Sequence, residues 1–170
     1  MPDESSHHGR GRRGFAPVID AGVHVLVLGS FPSPASLAAR QYYGHPRNQF
    51  WPILGAVLGE PLVSLPYPDR LERLLSRRIG IWDVYATCER AGSLDSRIRA
   101  ARSNDLAKLP RLAPRLRAVA FNGRVAGRFQ SQIVELGYAC AVLPSTSPAH
   151  AARHLDEKLA HWSAFFQDWY

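Results

Sequence analysis

The chain has 170 residues, 46% of them hydrophobic, enough to bury one good core and to make a single domain the expectation. An excess of 21 Lys+Arg over 14 Asp+Glu gives a formal net charge of +7, which suits a polyanion such as nucleic acid; solubility or genomic base composition is the alternative, since only Lys108 and Lys158 are lysines. Cys88 and Cys140 lie far apart without CxxC spacing, which argues against a zinc site, a disulfide framework and a four-cysteine iron–sulfur cluster, and no apolar run approaches the roughly 20 residues of a membrane span. With no signal-peptide pattern either, a reducing cytoplasm is the expected compartment.

Residues 1 to 14, with Ser5, Ser6, His7, His8 and the glycine-spaced Arg10, Arg12, Arg13 cluster, read as a flexible basic tail, and one domain is expected over 15–170. Val23 to Leu28 is short, apolar and ends at Gly29, as a strand buried on both faces does. The loop Gly29 Ser30 Phe31 Pro32 Ser33 follows. After it, Tyr42 Tyr43 Gly44 His45 Pro46 Arg47 Asn48 Gln49 leads into a helix whose Phe50, Ile53, Leu54, Val57 and Leu58 repeat at helical spacing. Leu71, Leu74 and Leu75 mark a second helix after the capping pair Asp69 and Glu72. Ile79 to Val84, Leu116 to Phe121 and Tyr138 to Leu143 repeat the character of the first strand. Val125, Phe129, Ile133 and Leu136 mark a third helix, and Leu155, Leu159, Trp162, Phe166 and Trp169 a long C-terminal one. Strands alternating with helices predict a three-layer α/β/α sandwich around a central, mainly parallel four-stranded sheet.

In such a sheet the carboxyl ends of the strands deliver their loops to one edge, where open α/β folds bind ligands. Those loops carry Gly29 to Ser33, Asp83 with Tyr85, Asn122 with Gly123, and Pro144 to Pro148. The architecture alone suggests a nucleotide-cofactor enzyme. Yet no GxGxxG follows the first strand and no GxxxxGK[ST] occurs, so both phosphate-cradle fingerprints are missing. A serine hydrolase would need a G-x-S-x-G elbow, which is absent; Ser30, Ser33, Ser145 and Ser147 read more readily as turn caps.

The combination of a strand, the GSFPS loop and YYGHPRNxFW resembles the hypoxanthine-DNA (deoxyinosine) glycosylase branch of the uracil-DNA glycosylase superfamily, from about Phe15 to His150. In related mismatch-specific branches an Asn in the first loop positions the attacking water. Here Phe31 stands there, and a phenyl ring cannot hold water. The resemblance passes that role to Asn48, whose bare-sequence reading is an N-cap of the Phe50 helix. An amide suits the task, because an N-glycosidic bond breaks through an oxocarbenium-like sugar that needs an oriented water more than a strong base.

The resemblance also makes Tyr43 a stacking partner for an extruded base, with Tyr42 in the core, and Gly29, Ser30, Phe31 and Pro32 pocket wall. Asn122 takes the family's base-reading position, against the alternative of a left-handed turn; a side-chain amide matches the N–H and carbonyl pair of hypoxanthine, and equally that of uracil. Ser145, Thr146, Ser147, Pro148, Ala149 and His150 correspond to the loop that presses on DNA around the flipped nucleotide. His150 stands where Asn is common in the family, and Ser145 where the best-studied branches have a catalytic His or Asn. Gly92 to Asp95 resembles a segment beside the pocket, with Ser93 or Asp95 read as helix caps, and Asp83 is a possible orienting acid held below Asn48. The resulting expectation is a monomeric, monofunctional glycosylase acting on DNA with deaminated bases, with no metal or other cofactor, no membrane partner and no lyase step, since neither lysine lies in a pocket motif. The alternatives are a uracil or mismatch-specific glycosylase and a non-catalytic DNA-binding module.

Overall fold

The computed structural model describes residues 11–90, 94–150 and 154–170. Four strands, β2 (Val25–Gly29), β3 (Ile79–Asp83), β6 (Ala118–Asn122) and β7 (Ala139–Leu143), form a parallel sheet in the order β3-β2-β6-β7. The register aligns Gly29 with Asp83, Leu28 with Phe121, and Asn122 with Leu143, so the four carboxyl ends reach one edge together.

Alternate residues of each strand face opposite sides, and both sides are buried, which is why these strands are almost unbroken apolar runs. Val25, Val27, Ile79, Ile81, Ala118 and Ala120 pack against helices α2 (Phe50–Leu58) and α7 (Leu155–Trp169) through Phe50, Ile53, Leu54, Trp162 and Phe166. Leu26, Leu28, Trp82, Val119 and Phe121 pack on the other side against Leu106, Leu109, Ala126 and Ile133. The fold is therefore the three-layer α/β/α sandwich expected.

The remaining helices depart from the expectation in detail. Helix α1 (Pro34–Ala39) is capped by Ser33, whose hydroxyl accepts from the Ser36 amide at 3.1 Å. Helix α3 (Tyr67–Ser76) starts from Pro66, with Asp69 inside its first turn and no side-chain cap bond. A short α4 (Leu109–Leu112) precedes β6. The third predicted helix is two, α5 (Arg124–Gly127) and α6 (Gln130–Glu135), because Arg128 and Phe129 donate three residues back, to Val125 and Ala126, and tighten the turn between them.

A second sheet was not foreseen. Strands β1 (Arg12–Arg13), β4 (Tyr85–Arg90) and β5 (Ile98–Ser103) pair antiparallel in the order β1-β4-β5. Arg12 and Arg13, assigned from the sequence to the tail, thus form an edge strand opposite Cys88 and Thr87. Residues 1–10 lie outside the described residues.

Candidate active site

The strand ends line a narrow cleft whose cavity volume is about 60 Å³. Its walls bring together Gly29, Ser30, Phe31, Pro32, Tyr43 and Asn48 from the two loops of the first half and Asn122, Ser145, Thr146 and Ser147 from the second. These residues are far apart in the chain; the parallel register brings the strand-end loops together, and the Gln49 N–H bond to the Thr146 carbonyl ties the Asn48 segment to them.

Gly29 ends β2 at the floor of the cleft. A Cβ there would lie 2.5 Å from Asp83 Oδ1 and 2.9 Å from the Tyr43 hydroxyl, so only glycine lets both groups close over the backbone. Burial first, then the nearby Asp95 carboxylate, push the Asp83 carboxyl up to about 7, with Arg90 opposing them. Asp83 Oδ2 and the Tyr43 hydroxyl are buried without a hydrogen-bond partner among the described residues.

Tyr42 takes the core position expected of it. Tyr42 is buried in the core, its hydroxyl donating to the Ala16 carbonyl at 2.8 Å and its own carbonyl accepting from Trp51 Nε1 at 3.1 Å. Tyr43 has φ +55°, a conformation costly for an aromatic residue, and holds it by stacking on Phe50 with ring centroids 3.9 Å apart. Burial and the neighbouring Asp83 raise the Tyr43 hydroxyl far above its ordinary value, so it stays protonated.

Asn48 Oδ1 accepts from the Phe50 amide at 2.9 Å. The capping bond is thus real, although Gln49 is the residue flanking the helix. The side chain also lines the cleft, with its Nδ2 and a second Oδ1 lone pair beyond that bond. Asn122 is held at both ends by Thr146: its Oδ1 accepts from the Thr146 amide at 3.0 Å, and its Nδ2 donates to Thr146 Oγ1 at 2.9 Å. Because a backbone N–H can only donate, this clamp fixes which way the amide points.

Thr146, expected on the DNA-facing loop, is fully buried as that clamp. Ser145 and Ser147 accept from the Ser147 and Ala149 amides at 3.2 and 3.3 Å, which leaves their hydroxyl protons to donate outward. Pro148 and Ala149 follow in a short helical turn through residue 150; the His150 side chain and Ser93 lie outside the described residues.

Sequence reasoning missed two supports of the site. Ser30 donates to Asp95 Oδ2 at 2.7 Å, and Asp95 Oδ1 pairs with Arg90 at 3.0 Å, so Asp95 braces the first loop rather than capping a helix with its side chain. Arg90 also donates to the Pro32 carbonyl and lies over the Phe31 ring. Lys158, read as outside the pocket motifs, is buried directly behind one: its Nζ donates to Gln49 Oε1 at 2.8 Å, while the Gln49 amide donates to the Thr146 carbonyl at 3.0 Å. No spacing rule finds such partners, which are 65 and 109 residues apart. Among the described residues no cluster of three His, Cys, Asp or Glu is placed to hold a metal, and no helix is long and apolar enough to cross a membrane.

Comparison with known proteins matches residues 16–169 to the Uracil DNA glycosylase superfamily. Two proteins named Hypoxanthine DNA glycosylase, from Methanosarcina acetivorans and Methanosarcina barkeri, are 40% and 39% identical over 156 residues, 92% of this chain and 98% of each relative. The solution NMR structure of a Methanosarcina acetivorans protein, named provisionally as a uracil DNA glycosylase, superposes with a TM-score of 0.85 at 40% identity, covering 94% of this chain and 98% of that one.

Proposed function

We propose, from the premise that this chain belongs to the Uracil DNA glycosylase superfamily, that it is a monofunctional DNA glycosylase removing hypoxanthine, and with it other deaminated bases, from DNA. The observation that carries this reading is the convergence in one cleft of Asn48, Tyr43 and the clamped Asn122, in a chain about 40% identical over nearly its whole length to proteins named for hypoxanthine excision. The reaction is hydrolysis, a step in base repair, and involves no lyase chemistry.

In this reading a flipped nucleotide enters between the GSFPS loop and the Ser145–His150 loop, and the base lies along Tyr43, whose other ring face is covered by Phe50. Stacking of about 1–3 kcal/mol offsets much of the few kcal/mol that unstacking the base costs. The second donor and lone pair of Asn122 read the N–H and carbonyl edge of the base. Asn48 orients the water toward C1′ with the half of its amide that the Phe50 bond leaves over. Ser145 and Ser147 donate to flanking phosphates, and Ala149 or His150 fills the gap in the stack. A cleft built wholly by one chain supports action as a monomer, and we place that action in the cytoplasm.

The test is incubation of the purified protein with labelled duplexes carrying one deoxyinosine or one deoxyuridine, followed by alkali. Cleavage well above background at deoxyinosine is the expected result. Cleavage mainly at deoxyuridine would move the chain to a uracil-specific branch, and cleavage of neither with retained DNA binding would make it a binding module.

A further inference from the structure

Asp83 has no part in the scheme above, yet it ends β3 in the wall of the cleft beside Gly29, Tyr43 and Asn122. Its position is fixed from both sides. Its carbonyl accepts from Asn104 Nδ2 at 2.8 Å, its Oδ1 fits under Gly29 where a Cβ would collide, and its Oδ2 is buried without a partner among the described residues. A carboxylate in that place would be a buried charge with an empty oxygen, which is expensive, whereas a carboxylic acid is a neutral group with one proton to give.

Burial first, and then Asp95, favour the neutral form against the opposing Arg90. From the Tyr42–Tyr43 turn come two phenols that stay protonated, and α3 contributes Tyr67, a third. From the antiparallel side come Cys88, Asp95 and Arg90. Arg90 is the cation that would stabilise a carboxylate, but it is engaged by Asp95 and by the Pro32 carbonyl. Two carboxyls thus share one site in different settings: Asp95 pairs with Arg90 at 3.0 Å, while Asp83 is buried with one oxygen unpartnered among the described residues. A carboxyl buried in that way is suited to act as an acid.

We propose that Asp83 is the general acid of purine excision, giving its proton to a ring nitrogen of the departing base, an assignment that rests on the glycosylase reading above. As the C1′–N9 bond breaks, its electron pair passes into the purine. The Asp83 proton joins a ring nitrogen, so hypoxanthine leaves neutral rather than as an anion. Water bonds to C1′, and the proton it sheds returns to the Asp83 carboxylate. The Tyr43 hydroxyl closes over Gly29 beside the Asp83 carboxyl.

The experiment is single-turnover excision of deoxyinosine from a labelled duplex between about pH 5 and pH 9, for the wild-type chain and for Asp83→Asn, with DNA binding and thermal unfolding measured alongside. A wild-type rate that falls about tenfold per unit above about pH 7 is expected. Asp83→Asn keeps the shape and donates a hydrogen bond but cannot transfer a proton. It should lose about 10²- to 10⁴-fold at pH 6, show no alkaline fall, and bind DNA as before. A flat wild-type profile, a variant within about threefold of wild type, or a variant that keeps the alkaline fall would overturn the assignment. Should the variant not fold, the wild-type profile alone decides. Absence of any deoxyinosine excision by the wild-type chain, at every pH, would instead sink the underlying glycosylase reading.

Discussion

Thr146→Val tests whether the Asn122 clamp preorganises the base-reading amide. Valine has nearly the shape of threonine, so the fully buried site suffers no cavity and the backbone N–H bond to Asn122 Oδ1 survives. What disappears is the acceptor for Asn122 Nδ2, 2.9 Å away, leaving a buried amide donor unsatisfied. That costs about 1–3 kcal/mol, equivalent to a fall of about 2–12 °C in Tm for a domain of this size. With one of its two tethers cut, the amide swings about the remaining bond, and deoxyinosine excision should fall by about tenfold. The assay is thermal unfolding together with single-turnover excision for Thr146→Val, Asn122→Ala and the double variant. Residues in contact should show a coupling of about 0.5–3 kcal/mol in stability. A Tm unchanged within about 1 °C, or strictly additive effects, would refute the clamp.

Asn48→Ala should cost about 1 kcal/mol in urea unfolding through the lost Phe50 cap and, separately, abolish deoxyinosine cleavage while sparing DNA binding; unchanged cleavage would remove Asn48 from the mechanism. Gly29→Ala should disrupt the cleft floor, because its Cβ meets Asp83 and Tyr43 at 2.5 and 2.9 Å, and an active, fully stable variant would show that the floor yields. Gln49→Leu removes an acceptor from the buried Lys158 ammonium and should lower stability by about 1–3 kcal/mol in urea, with no loss expected if Lys158 repartners freely. Asp83→Asn should be more stable than wild type at pH 8 and equal to it at pH 4. A carboxyl whose folded value is raised to about 7 stabilises the fold fully only below its unfolded value, and that contribution drains away as pH rises to about 7, by up to about 4 kcal/mol. Urea unfolding at the two pH values checks the sign, and an Asp83→Asn less stable at pH 8 would contradict it.

The buried strands were legible because burial on both faces demands runs such as Val25 to Leu28, and that demand is written residue by residue. The antiparallel sheet was not, because β5 carries Arg99, Ala100, Ala101 and Arg102 on exposed positions, where neither alternation nor β-propensity is required; its strands exist through pairing with β4. The cleft residues were found by loop position and by likeness to a family. The roles of Thr146, Asp95 and Lys158 escaped because each depends on a partner distant in the chain, Asn122, Ser30 or Gln49, and only the folded register brings the pairs together.

The cap reading of Asn48 and its proposed functional role are compatible in hydrogen-bonding capacity, whereas the left-handed turn read for Asn122 falls instead on Gly123, at φ +95°. A side-chain amide offers two donors and two lone pairs. Asn48 spends one lone pair on the Phe50 amide, and Asn122 spends one lone pair and one donor on Thr146. Each therefore keeps a donor and an acceptor, and the bonds it does make hold that remainder at a fixed angle to the cleft. An aspartate cap could anchor the same turn but would leave only acceptors, and a serine's remaining donor and acceptor would sit on one oxygen, whereas an amide presents them on two separate atoms. Preorganisation of this kind makes a prediction about which losses travel together: any change that frees the structural half of either amide should slow chemistry more than it weakens DNA binding, because orientation at C1′ and at the base edge is lost while the phosphate contacts remain.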